Sequence, residues 1–88
     1  MQNPHQISVL QIIAQFKGRL DDETVHDCRD MAEDGEWGIA FEKLCDDLFE
    51  FDIVPTQAEY DVIALIGKRM GMSPETWIFL APPPGRLS

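Results

Sequence analysis

The stretch MAEDGEWGIAFEKLCDDLFEFD, Met31 to Asp52, decides how the rest of the chain is read. Its apolar residues fall at Trp37, Ala40, Phe41, Leu44, Cys45, Leu48 and Phe51. Spacings of three and four put them on one broad stripe of a helix running from about Glu36 to Phe51. Trp37, Leu44 and Leu48 are expected to be buried. Gly35 stands just before this helix, where a glycine after the last periodic residue stops the preceding one. The stretch is thus two helices broken at a glycine. It is also dense in carboxylates on the faces that should meet water.

Working outward toward the N-terminus, Val25, Cys28 and Ala32, with Met31 at the edge, form a thin apolar stripe. The helix that carries it begins after Asp21 or Asp22, either of which can serve as N-cap. Before it, Val9, Ile12, Ile13, Phe16 and Leu20 make a further stripe, on a helix expected from near Pro4 to Gly18. Toward the C-terminus, Pro55 ends the central helix by pushing the residue before it out of the helical region. TQAE, Thr56 to Glu59, has the form of a capping box. It opens a helix with Tyr60, Ile63, Ala64, Ile66, Gly67 and Met70, closing at Gly71. Ser73 and Pro74 restart a short helical turn as N-cap and first residue, and Trp77, Ile78 and Leu80 are expected to fold back on the bundle.

No strand alternation and no repeat is present. The reading is an all-α fold: a small four-helix bundle with a short fifth helical turn. Residues 1–80 form a single helical domain, and 81–88 a proline-rich C-terminal tail that cannot continue a helix.

Eighty-eight residues make one small domain with a modest core. Net charge is −9 and the pI is near 4.3. That disfavours direct nucleic-acid binding and anionic membrane surfaces, and it favours a basic partner. No signal peptide and no membrane span is legible, so the chain is expected in the cytoplasm. Cys28 and Cys45 lie on apolar stripes and are expected as free core thiols.

The charge is unevenly placed. From Asp21 to Asp52 there are 13 acidic and two basic residues, a local charge of −11; the remainder of the chain carries +2. Glu23, Asp27, Asp30 and Asp34 repeat along one line of the second helix, opposite its apolar stripe. Glu42, Asp46 and Glu50 do the same on the third, with Asp47 beside them. Like charges at i, i+4 each cost a few tenths of a kcal/mol, so two all-acid lines work against stability. Part of that is offset where Asp22 and Glu23 meet a helix N-terminus. Ile39 lies off the apolar stripe, along the Glu42–Asp46–Glu50 ridge, and Phe49 is also off the stripe. An apolar group ringed by charge is how interface anchors are arranged. The expected partner-binding surface is therefore Glu23, Asp27, Asp30, Asp34, Glu36, Ile39, Glu42, Asp46, Asp47 and Glu50.

Catalytic chemistry is not indicated. His26 and Cys28 sit two apart on different helix faces, with no second pair at zinc spacing. The acidic segment lacks the ligand order of an EF-hand loop. Neither His5 nor His26 is matched to a nucleophile, and no glycine-rich phosphate loop occurs. No enzyme activity, cofactor or metal is expected.

Met31 to Trp77 resembles the MafI-type immunity proteins of bacterial polymorphic-toxin and contact-dependent growth inhibition systems. The residues that match are Gly35 and Glu36 opening a helix, then Ala40, Leu44, Leu48 and Glu50. A short linker, the capped PTQAEYDVI helix and the closing Gly71–Met72 follow. The resemblance implies an immunity protein that binds and neutralises a cognate secreted toxin. The partner would be a basic nuclease domain, such as an EndoU-type RNase, held by a monomer in a 1:1 complex. An alternative is a small acidic cytoplasmic adaptor or regulator on a basic host protein. A third reading is a structural subunit whose acidic face is only solvated.

Overall fold

Four helices and two short 3-10 turns account for most of residues 3–83, the part of the chain that the structure, a computed structural model, describes. They are α1 (Pro4–Gln15), α2 (Asp22–Glu33), α3 (Trp37–Glu50) and α4 (Gln57–Arg69), followed by 3-10 turns at Pro74–Thr76 and Ile78–Leu80. Among the described residues there is no strand, only an isolated bridge between Lys17 and Leu20. Residues 81–83 continue without regular structure. The rest of the expected tail, residues 84–88, lies outside the described residues, as do residues 1–2.

The starts of α1, α2 and α4 follow from side chains that take up orphan backbone N–H groups. Asn3 accepts from the His5 N–H at 2.8 Å, and Asp21 accepts from the Thr24 N–H at 3.1 Å. The Thr56–Glu59 capping box is complete in both directions. Ser73 caps the first 3-10 turn. The ends of α2, α3 and α4 share one device: a residue with positive φ follows the last turn, and the next N–H reaches back to close it. Gly35 and Gly71 fill that position after α2 and α4, whereas Asp52, with φ 59°, fills it after α3. The closing bond from the Ile53 N–H to the Leu48 carbonyl is 2.8 Å.

The core is drawn from all four helices. Val9, Ile12 and Ile13 come from α1; Val25, Cys28 and Ala32 from α2; Ala40, Phe41, Leu44, Cys45 and Leu48 from α3; and Ile63 and Ile66 from α4. Helix α1 touches each of the other three helices, while α2 lies against α3. Phe16 and Leu20 are buried too, although α1 ends before either; they are carried inward by the loop. Cys28 and Cys45 are buried and unbridged. Burial pushes their thiols up to about 11 and about 12, so both stay protonated at neutral pH.

Four expectations need correction. Phe51 is 52% exposed rather than in the core. It occupies the C-cap, where the chain turns away through Asp52, and Ile53 packs on the core in its stead. Trp37 is only partly buried, because it opens α3 and its ring lies at the edge beside His5. Ile78 is 58% exposed. A 3-10 turn repeats every three residues, so Trp77 and Leu80 point in while Ile78 and Phe79 point out. Asp47, expected on the surface, is buried, for reasons given below.

Trp77 closes the bundle. Its indole packs against Gly67 of α4 and meets Phe41 of α3 edge-on, with ring centroids 6.3 Å apart. A Cβ on residue 67 would fall 2.2 Å from the Trp77 ring. Gly67→Ala therefore must expel or tilt the indole, and a loss of about 1–3 kcal/mol is expected in chemical denaturation. Gly38→Ala, where a Cβ meets nothing within 4 Å, should instead gain about 0.5–1 kcal/mol. Equal effects of the two substitutions would contradict the Trp77 contact.

Candidate interaction surface

The carboxylate lines reach the surface through the same periodicity that buries the core. Glu23, Asp27, Asp30 and Asp34 are exposed on α2, and Glu42, Asp46 and Glu50 are exposed on α3. Glu36 is exposed at the start of α3, where its side chain makes no capping bond. Ile39 is 55% exposed, on the Glu42–Asp46–Glu50 ridge as the helical period requires. The expected residues thus occupy the outer faces of two helices packed against each other.

Few of these charges are neutralised. Asp30 faces His26 at 3.2 Å, an exposed contact that is ionic only when the imidazole is protonated. Glu23, Asp27, Asp34, Glu36, Glu42, Asp46 and Glu50 have no cationic partner within 4 Å among the described residues. Asp21 is used locally: its side chain accepts from the Thr24 hydroxyl and N–H, which holds its carboxyl below the ordinary range.

Asp47 departs from the expected surface. It is 8% exposed and accepts a 2.9 Å bond from Lys43 Nζ one turn earlier. Lying next to Leu48 and three residues after Leu44, it sits at the border of the apolar arc rather than on the acid ridge. The bond that Lys43 donates to Asp47 raises its ammonium above the ordinary value, and the nearby field of Asp27 on α2 adds to it. One of the two basic residues of the acidic segment is thereby spent inside the structure. Asp47 is a structural group and leaves the list of partner-binding residues.

The C-terminal turns add what the sequence did not reveal. Phe79 stands edge-on to Phe49 of α3 with centroids 5.2 Å apart, although the two rings are 40% and 63% exposed. Beside them is a shallow cleft of about 250 Å³ lined by Glu42, Asp46, Ser73, Glu75, Thr76 and Phe79. A second hollow of about 210 Å³ runs from Phe49 and Phe79 along Ile53, Val54 and Pro55. The α3 acid ridge therefore gains a fourth carboxylate, Glu75, and an aromatic border. The 3-10 period could have signalled Phe79, because burying Trp77 and Leu80 leaves it outside.

The arrangement suits the capture of cationic side chains, with aromatic faces for their stems and carboxylates for their charges. Among the described residues no three His, Cys, Asp or Glu are grouped to hold a metal, and no helix is long and apolar enough to cross a membrane. Compared with protein-family models, curated proteins and solved structures, the chain matches none.

Lys43 is the residue to test for the division between structural and free charge. Lys43→Met leaves the Asp47 carboxylate buried without its donor, and a loss of about 1–3 kcal/mol is expected at neutral pH. Asp46→Asn, on the exposed ridge, should change stability by less than about 0.5 kcal/mol. Urea unfolding of both variants reads the difference, and a Lys43→Met variant as stable as the parent would return Asp47 to the surface.

Proposed function

We propose that this chain is an immunity-type protein that binds and neutralises a basic nuclease toxin domain through the outer faces of α2 and α3. The observation that carries the reading is a set of seven exposed carboxylates without cationic partners among the described residues, set beside an exposed Phe49–Phe79 pair. A nuclease cleft is lined with Lys and Arg because it holds a polyanion. Carboxylates spaced along a rigid helix offer such a cleft a competing set of anions. The aromatic pair supplies the apolar contact that charge alone lacks, since desolvated anchors carry most interface energy. The resemblance of Met31–Trp77 to MafI-type immunity proteins points the same way.

The mechanism is occlusion. Long-range attraction steers the partner toward the acidic face, raising the encounter rate above the ordinary 10⁵–10⁷ M⁻¹s⁻¹ range at low salt. Contact then displaces RNA or DNA from the cleft by occupying its phosphate-binding groups. No proton or covalent bond need move in this chain. Each chain engages one toxin domain.

Reversing charge on the third helix tests this directly. Asp46→Lys combined with Glu50→Lys should weaken binding to the toxin domain at least tenfold and abolish protection of a toxin-exposed cell. The circular dichroism spectrum should be unchanged, because both side chains are exposed. The parent's association rate should fall steeply as the Debye length shrinks from about 30 Å at 0.01 M salt to about 10 Å at 0.1 M. Full protection by the double variant, together with salt-independent association, would overturn the proposal.

A further inference from the structure

Away from the acidic helices, α1 and α4 leave an open groove of about 700 Å³ between them. No residue of the acidic segment lines it. On the α4 side the lining residues Ala58, Val62, Leu65 and Arg69 follow one another at i, i+4, i+7, i+11, a single stripe facing outward. Val62 is 45% exposed and Leu65 47%. On the α1 side Ser8, Gln11, Ile12, Ala14 and Gln15 line it, and α1 carries no Asp, Glu, Lys or Arg along its whole length. Val62 and Leu65, two exposed branched aliphatics on the same stripe, form an apolar strip without a partner among the described residues.

We propose that this groove is the contact between two copies of the chain, with the two α4 helices packed antiparallel. The charges select that occupant. With −11 confined to residues 21–52, any approach through α2 or α3 sets like charges together. The α1–α4 face is where two copies meet without that repulsion. Its own charges are self-complementary. Asp61 and Lys68 are exposed on the same flank of the stripe, on either side of its midpoint between Val62 and Leu65. In an antiparallel pair, same-flank residues of the two helices meet. Each Asp61 therefore faces the Lys68 of the other copy, twice by symmetry, and Val62 of one copy packs on Leu65 of the other. Lys68 has no ion pair within 4 Å among the described residues. Glu59 is already engaged by Arg19 and by the Thr56 cap, so the pairing does not draw on it. The antiparallel arrangement also sets opposite helix dipole ends beside each other.

The footprint of two such helices side by side is roughly 20 Å by 20 Å, small for a permanent dimer and suited to a concentration-dependent one. The monomer expected from the sequence gives way to a weak two-fold pair. Both acidic faces stay free in it, so pairing and toxin capture do not compete.

Sedimentation velocity on the full chain from 5 to 500 µM reads the inference. The mass should rise from that of one 10.0 kDa chain toward twice that value. Leu65→Asp should hold the protein monomeric throughout, with its helical spectrum and melting curve recorded alongside because the side chain is half exposed. Lys68→Asp alone should weaken pairing about tenfold, and Asp61→Lys with Lys68→Asp should restore it. A parent that stays monomeric at 500 µM overturns the proposal. So does a dimer indifferent to Leu65→Asp or Lys68→Asp, or a double swap that fails to recover pairing. None of these readouts uses the toxin, so they stand or fall apart from the proposed function.

Discussion

The Trp77 indole on Gly67 is the contact on which the form of the surface depends. Burying a tryptophan removes about 150–250 Å² from water, an upper bound of about 4–6 kcal/mol. A domain of this size has roughly 5–10 kcal/mol in all. The glycine makes the fit possible, since any Cβ would occupy the ring's position. The consequence reaches beyond stability. Fixing Trp77 fixes the two 3-10 turns around it, which places Glu75 beside Glu42 and Asp46 and sets Phe79 against Phe49. The mixed acidic and aromatic surface is thus assembled from two distant segments by one buried ring.

The second constraint is charge. Helix α2 buries only Val25, Cys28 and Ala32 fully, small side chains that contribute little to the core but allow α2 to lie close to α3. Two acidic helices are thereby held side by side. Carboxylates about 10 Å apart in water repel by about 0.4 kcal/mol per pair before salt screening. That is tolerable singly and appreciable when repeated. Three features reduce it: Asp21, Asp22 and Glu23 sit at the N-terminal end of α2, where the helix dipole favours anions; Asp47 is paired with Lys43; and the remaining groups face solvent. What remains uncompensated is concentrated where a cationic partner would relieve it.

Most of the fold was legible because helical periodicity and capping chemistry are local. The stripes on α1 to α4, the Asp21 and Ser73 caps, the Thr56–Glu59 box and the glycine stops can each be read within a dozen residues. The misreadings share a different cause. Phe51 continues the α3 period arithmetically, but the chain has left the helix there. Ile78 stands between the buried Trp77 and Leu80, but the segment winds as 3-10 and turns it outward. Asp47 lies on the border between two arcs, and its burial depends on Lys43 and on the neighbouring α2. For the surface, the exposed acid lines and Ile39 followed from the helical wheel. Glu75 and Phe79 did not, because their place beside α3 is set by a tertiary contact that no local pattern encodes.

The central claim is that binding runs through the α2–α3 acid face and its Phe49–Phe79 border. Its most direct measurement is a titration of the isotope-labelled chain with the basic toxin domain, following every backbone amide by NMR. The result predicted is broadening or shifting confined to amides around Glu23–Asp34, Ile39–Glu50 and Glu75–Phe79, with Ser8–Ala14 and Val62–Arg69 undisturbed. Perturbation centred on the α1–α4 groove, with the acid face silent, would contradict it.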